Sequence, residues 1–334
     1  MVRILYERQA CARFNGGVSK MTIAFTFPGQ GSQSVGMGKV LAETFPEAKA
    51  VFDEVDDALG QKLSDVMWNG PDDTLTLTAN AQPALMAVSL ATMRVLEARG
   101  LDLKSTVAFV AGHSLGEYSA LAAAGSLDIA TTARLLRVRG DAMQNAVPVG
   151  VGAMAALLGL DFDVAVAVAQ EASQGEVCQA ANDNAPGQVV VSGHLAAVER
   201  AVEIAKAKGA RRAIMLPVSA PFHCSLMAPA ADAMSEALAN AEINVPVVPL
   251  VANVLAEPIT DPAEIRSRLV EQVTGTVRWR ESILWLAGQG VDTFVEVGTG
   301  KVLSGMVRRI HKESTGLTVN TPEDIDALMA KIGG

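Results

Sequence analysis

Cysteine is scarce in this chain of 334 residues: there are three, Cys11, Cys178 and Cys224, and no C-x-x-C pair. That excludes a disulfide framework and a zinc or redox centre built on paired thiols, and it fits a reducing compartment. No apolar run is long enough to span a membrane; the nearest, Val147 to Leu160, is ended by Asp161 and Asp163. A basic excess is also missing. The chain has 27 Lys and Arg against 36 Asp and Glu, a net charge of −9, which excludes a general nucleic-acid binder. Low-complexity tracts and internal repeats are absent. What remains is a chain that is 50% hydrophobic and 19% charged, with mean hydropathy +0.28. This is enough apolar material for one large domain or two unequal ones. No membrane association is expected, and a cytoplasmic monomer is.

Residues 1–20 stand apart. Arg3, Arg8, Arg13 and Lys20 face a single Glu7 before Met21 opens a clean strand pattern. The segment reads as an extension outside the fold. The alternative is a short organellar targeting peptide, since such peptides are basic and poor in acidic residues.

From Ile23 the chain alternates strand, loop and helix. The apolar run Ile23–Phe27 enters the glycine-rich loop Pro28-Gly29-Gln30-Gly31-Ser32-Gln33. Asn80 is the expected cap of a helix running to about Arg99, with Gly100 as its stop. Val107–Ala111 reads as a strand, Glu117–Ala124 as a helix and Thr131–Ala146 as another. This grammar predicts a parallel sheet covered by helices. Near Gly152 the order becomes strand Ala153–Leu158, helix Phe162–Gln170, strand Val177–Ala181, turn Asn182–Gly187, strand Gln188–Ser192, helix Leu195–Ala207 and strand Arg212–Val218. That is the β-α-β-β-α-β order of a ferredoxin-like unit. The expected organisation is a large α/β domain over 21–147 and 220–334, with a small domain inserted at 148–219. The large domain resumes with strand Val247–Val251, helices Ile265–Glu271 and Arg280–Gln289, and strand Thr293–Val297.

The most informative stretch is Gly112-His113-Ser114-Leu115-Gly116. It reads G-x-S-x-G between a strand and a helix, the context of a nucleophile elbow, in which a tight turn pushes the serine hydroxyl out of the backbone envelope. The next N–H, that of Leu115, then points at the group under attack, and the helix start favours developing negative charge. Acyl transfer needs a second such donor. The loop at Gln30 is placed to bring it, since flanking glycines allow close backbone approach. This loop is not a dinucleotide fingerprint, because Ser34 stands where the third glycine belongs. Gly298-Thr299-Gly300-Lys301 is not a Walker loop, because Val295 and Val302 stand at its required positions.

A serine hydroxyl needs a base. His113 adjoins Ser114 and is expected to point away, His194 lies in a turn, and His311 sits among Arg308, Arg309 and Lys312. His223, in Ala220-Pro221-Phe222-His223-Cys224, lies at a domain crossing where clefts form, and is the base by elimination. No Asp or Glu stands out as its partner; a backbone carbonyl or neutral amide suffices to fix the tautomer. Arg139 falls on the apolar face of its helix, with Leu135, Leu136, Ala142 and Met143 three and four residues away. A charge facing inward needs a partner. It pairs with an internal carboxylate or clamps a substrate carboxylate bidentately; spacing does not choose.

Six motifs together carry a resemblance. They are Phe27-Pro28-Gly29-Gln30-Gly31-Ser32-Gln33, Gly112-His113-Ser114-Leu115-Gly116-Glu117, Arg139-Gly140, Asn184-Ala185-Pro186-Gly187-Gln188, Phe222-His223-Cys224 and Glu296-Val297-Gly298-x-Gly300. In order and over nearly the whole chain from Met21 to about Lys312, they resemble the malonyl-CoA:acyl carrier protein transacylases of fatty-acid synthesis. The resemblance implies an α/β-hydrolase-like parallel-sheet domain with an inserted ferredoxin-like subdomain. It implies Ser114 as nucleophile, His223 as base, the Gln30 and Leu115 amides as oxyanion hole and Arg139 as clamp for the malonyl carboxylate. The Gln272 region is similar to the family segment whose carbonyl orients the histidine. Malonyl-CoA then enters as substrate, acyl carrier protein as partner, and no bound cofactor or metal is needed.

One departure stands out. Single-domain bacterial members often read Val-Pro-Ser-His before the base, whereas Phe222 resembles malonyl-selecting domains of polyketide synthases. A polyketide role and a serine thioesterase or hydrolase are the alternatives. For an acidic carrier, the expected landing site is the late cluster Lys206, Lys208, Arg211 and Arg212, with charge steering the encounter. Its plainer explanation is a helix end with cations near its C-terminus.

Overall fold

The computed structural model describes residues 21–218 and 220–333; the extension expected at 1–20, Cys11 included, lies outside the described residues. The described residues contain ten strands, in chain order β1 Ile23–Phe27, β2 Val107–Gly112, β3 Gly152–Leu158, β4 Cys178–Ala185, β5 Gln188–His194, β6 Arg212–Met215, β7 Leu250–Val251, β8 Pro258–Ile259, β9 Thr293–Val297 and β10 Thr315–Val319. Six form one sheet in the order β10-β9-β1-β2-β7-β8. Every neighbouring pair in it is parallel except β7 with β8. All five residues of β1 and of β9 are buried, as a sheet covered by helices on both faces requires. The other four strands form an antiparallel sheet, β4-β5-β3-β6. Helices Phe162–Ser173 and Leu195–Ala207 pack on it around Ala165, Val168, Val198 and Ala201. The fold is mixed α/β, as the alternating pattern predicts.

Several boundaries differ from the sequence reading, each for a local reason. Val247–Val251 contributes only Leu250 and Val251 to the sheet, because Pro246 and Pro249 have no N–H for the ladder. The helix expected from Asn80 begins at Thr78. Asn80 does not cap it; its amide donates to Thr74 O (2.9 Å) and accepts from Arg137 (3.0 Å), tying two helices to this one. The expected turn Asn182–Gly187 is mostly strand. β4 runs on to Ala185 through two bulged positions, and only Pro186 and Gly187 turn the chain. The bulge lets Asp183 N–H donate to Val277 O (2.9 Å) and Val277 N–H donate to Ala181 O (2.9 Å), so the small sheet is stitched to the segment after helix Pro262–Thr274.

The Glu296-Val297-Gly298 motif has a packing job. The buried Glu296 carboxyl accepts from Leu303 N–H (3.1 Å) and Ser304 N–H (2.8 Å), capping helix Val302–Ile310. Free donors at a helix start are thereby satisfied.

Candidate active site

β2 ends at Gly112, and the helix Gly116–Ala123 begins four residues later. So tight a reversal needs glycine at both ends. A Cβ on Gly112 would lie 1.9 Å from Gly116 O, and one on Gly116 would lie 2.2 Å from Phe27 O. Ser114 between them is in the left-handed region, φ 53°. Non-glycine residues there cost of order 1–3 kcal/mol and persist where surrounding contacts over-determine them. Here the Ser114 N–H donates to Asn253 Oδ1 (2.8 Å), and its carbonyl accepts from Gln272 Nε2 (3.0 Å) and Glu117 N–H (3.0 Å). Asn253 cannot turn over, because its Nδ2 donates to Gly112 O (2.6 Å).

The Ser114 hydroxyl lies 2.7 Å from His223 Nε2. His223 also has a left-handed backbone, φ 57°, and is buried. Its Nδ1 faces two carbonyls, Gln272 O at 2.9 Å and Gly275 O at 3.2 Å. Carbonyls only accept, so Nδ1 carries the proton and Nε2 is left as acceptor for the serine hydroxyl. Neutral oxygens thus do the orienting, which is why no acidic partner is legible near His223. Burial, with the positive field of Arg139 adding to it, pulls the His223 pKa down to about 3.

Arg139, on helix Ile129–Asn145, is 1% exposed. One terminal nitrogen donates to Gln82 Oε1 (2.8 Å); the other donates to Gln272 Oε1 (2.7 Å) and to Ser114 Oγ (3.1 Å). Its acceptors are neutral, and none of the ion pairs among the described residues includes it. The guanidinium also lies 5.7 Å over the Tyr118 ring. Of the two readings the spacing left open, a direct carboxylate pair is not found, and the cation points at the Ser114 hydroxyl.

The remaining expected residues fall as follows. Leu115 is buried at the start of the elbow helix, and its N–H is not used by the turn, whose bonds run from Gly116, Glu117 and Tyr118. Gln30 is exposed in the loop after β1, and its side chain accepts from Thr78 Oγ1 (2.8 Å). β1 meets the elbow directly, His113 N–H donating to Phe27 O (3.0 Å). The other histidines are engaged elsewhere: His113 Nε2 with Asn184 Oδ1 (2.8 Å), His194 Nδ1 with Val177 N–H (2.9 Å) and His311 Nδ1 with Ser314 Oγ (2.9 Å). Arg211 and Arg212 are exposed without an ion-pair partner among the described residues, whereas Lys206 pairs with Glu203 and Lys208 with Glu171, each at 2.7 Å.

Sequence reasoning missed Gln82, Glu117, Asn253 and Gly275. Gln82 carried a signal, a polar residue in the apolar run of helix Thr78–Ala98, and Glu117 closes the elbow motif itself. Asn253 and Gly275 carried none. Burial raises the Glu117 carboxyl to about 7, against hydrogen bonds from Gln272 and Asn253 that lower it. No group of three or more metal-ligating side chains occurs among the described residues.

A hydroxyl held against a neutral imidazole acceptor, a free N–H beside it and an unmatched cation over it suit covalent acyl transfer of an acidic acyl group. Comparisons with known proteins point to acyl transfer as well. The acyl transferase domain family matches residues 24–322. The malonyl CoA-acyl carrier protein transacylase of Bacillus subtilis is 48% identical over 305 residues, covering 91% of this chain and 95% of that one. The solved acyl-carrier-protein S-malonyltransferase of Bartonella henselae is 58% identical, with TM-score 0.92 over 94% of this chain and 100% of that one. A malonyl-transacylase solved in complex with a type II PKS acyl-carrier protein is 41% identical, with TM-score 0.90 over 93% and 99%. Matches of that extent place the chain plainly: it belongs to the acyl transferase family, among the malonyl CoA-acyl carrier protein transacylases.

Proposed function

We propose that this chain moves malonyl from malonyl-CoA to the phosphopantetheine thiol of acyl carrier protein through a malonyl-Ser114 intermediate, in fatty-acid synthesis. The observation that carries the reading is the position of Ser114 Oγ, 2.7 Å from His223 Nε2 and 3.1 Å from the buried, carboxylate-free Arg139. Ser114 attacks the thioester carbonyl as its proton passes to His223 Nε2. The resulting oxyanion is held by the N–H groups of Leu115 and Gln30. Collapse breaks the C–S bond, and coenzyme A leaves with the proton from His223. The carrier thiol then gives its proton to His223, attacks the ester and releases Ser114 in the reverse sense.

Arg139 selects the acyl group. Its guanidinium takes the distal malonyl carboxylate bidentately. That carboxylate also offsets the positive field that weakens His223, so the base strengthens when the acidic acyl group arrives. Phe222, 9% exposed beside His223, narrows the space an α-methyl group would need. No helix among the described residues is long and apolar enough to cross a membrane. The reading also includes a cytoplasmic monomer that needs malonyl-CoA and a carrier and no bound cofactor, with Arg211 and Arg212 as the carrier's landing site.

Labelled malonyl-CoA, mixed with the protein and acyl carrier protein, tests this reading. Label should move to the carrier. Release as free malonate would favour a serine thioesterase or hydrolase. Transfer to a polyketide carrier in clear preference to a fatty-acid carrier would move the reaction to polyketide synthesis, the pathway of the carrier bound to one solved relative.

A further inference from the structure

Glu117 has no part in the acyl-transfer steps, yet it lies three residues from the nucleophile and is 0% exposed. Its Oε2 accepts from Gln272 Nε2 (2.7 Å) and from Asn253 N–H (3.2 Å); its Oε1 has no hydrogen-bond partner. These two contacts reach the two residues whose side chains hold the strained Ser114 backbone, Asn253 at its N–H and Gln272 at its carbonyl.

Gln272 does more than hold the serine. Its side-chain oxygen accepts from Arg139 (2.7 Å), and its backbone carbonyl orients His223 (2.9 Å). The side-chain amide has two faces, and only one orientation satisfies both. With Nε2 toward Ser114 O and the Glu117 carboxyl, Oε1 meets the guanidinium. Turned over, the NH2 would face the Arg139 donors and the oxygen would face two acceptors. Glu117 is the one acidic acceptor on the Nε2 side, and an unmade contact there would leave a buried donor short of a partner.

We propose that Glu117 is a positioning residue whose carboxyl keys the Gln272 amide, so that Ser114 and Arg139 are set relative to each other by one side chain. This rests on the reading of Ser114 as the acylated residue and of Arg139 as the malonyl clamp. Glu117 touches no substrate. It acts through Gln272, so its loss should disturb nucleophile and clamp together.

The test compares wild type, Glu117→Gln and Glu117→Ala in single-turnover loading of Ser114 from malonyl-CoA and, separately, from acetyl-CoA, each normalised to folded protein. Glu117→Gln keeps a carbonyl acceptor of the same reach and should load malonyl within about threefold of wild type. Glu117→Ala frees the amide and should load malonyl on the order of 100-fold more slowly, the scale of a misplaced reacting group. Its malonyl-over-acetyl ratio should also fall, because the clamp loses its set. Should Glu117→Ala not fold, Glu117→Asp replaces it; the carboxyl is kept but withdrawn by one methylene, and the same losses are expected. Unchanged rate and ratio per folded molecule in Glu117→Ala or Glu117→Asp would overturn the proposal and leave Glu117 a packing residue. A loss in Glu117→Gln as large as in Glu117→Ala would overturn it too, since the acceptor is present there. Wild type that takes no label on Ser114 would instead overturn the transferase reading beneath it.

Discussion

Two buried charges in this molecule have opposite surroundings. Asp183, in the bulge of β4, is 0% exposed and is met by Arg280, whose Nε lies 3.0 Å from each carboxylate oxygen. A further contact at 2.8 Å closes the pair. Arg139 is almost as deeply buried, at 1% exposed, but faces two glutamine oxygens and a serine hydroxyl. The first charge is matched within the chain and joins the small sheet to the segment beside His223. The second has only neutral hydrogen-bond acceptors; its nearest acidic neighbour, the buried Glu117, reaches it through the Gln272 side chain and by its field. Burying a charge without a directly paired counter-charge is costly, and the proposed malonyl carboxylate would supply that pair. Burial alone therefore does not distinguish the two charges; the identity of the partner does.

The largest effect should come from removing the Ser114 hydroxyl that Arg139 faces, the proposed nucleophile. Malonyl-CoA alone should add one malonyl mass to the peptide containing Ser114, and Ser114→Ala should abolish the adduct. Label found on the buried Cys224 instead would break the assignment.

Next come the two charges themselves. Arg139→Ala should lose roughly 2–5 kcal/mol of malonyl transition-state stabilisation while keeping, or gaining, acetyl transfer; kcat/KM for the two thioesters measures it. Equal losses for both would make Arg139 structural, like its counterpart. Arg280→Ala should behave in the converse way. It strands the Asp183 carboxyl and should cost about 3 kcal/mol of stability in denaturant unfolding. Its malonyl-over-acetyl ratio should stay that of wild type.

His223 is held near 3 in the fold, against about 6.5 unfolded. Its folded pKa is depressed, so between these values the unfolded state binds the extra proton. The stability linked to neutral His223 is therefore full above about pH 6.5 and is lost as pH falls toward 3. The acid limb of kcat/KM should accordingly lie well below pH 6.5. Because the Arg139 field is one cause of the depression, Arg139→Ala should move that limb upward, read with acetyl-CoA. A limb near 6.5 in wild type, or no movement in the variant, would break the electrostatic account.

The smallest effect concerns exposed charge. Reversing Arg211 and Arg212 to Glu should raise the apparent KM for acyl carrier protein and leave Ser114 loading nearly unchanged. The defect should be salt-sensitive, since exposed charges are screened within about 10 Å at 0.1 M. If neither half-reaction changes, or both fall together, the cluster Arg308, Arg309 and Lys312 is the next to test.

Local pattern alone determined a good deal of this protein. β1, β9 and helix Leu195–Ala207 have the boundaries that periodicity predicts, because an apolar run or stripe leaves the chain one way to bury itself. The elbow was legible because a strand-to-helix reversal this tight needs glycine at Gly112 and Gly116, a requirement local to five residues. The inward face of Arg139 followed from helical spacing. The family resemblance pointed to the Gln272 region as what orients His223; tertiary structure alone decided what Arg139 meets and that Gly275 shares the orienting. Gln82 and Gln272 stand 57 and 133 residues from Arg139, and Gly275 stands 52 from His223. The orienting contacts are made by backbone carbonyls, which every residue possesses and no sequence pattern marks. The same is true of the bulge that makes Asn182–Ala185 strand: its bonds go to Val277, and nothing in a stretch rich in Asn and Asp announces a partner so far along the chain. Glu117 lies between the two cases, since the residue sits in the motif while its two contacts, to Asn253 and Gln272, exist only once the large sheet has closed around it.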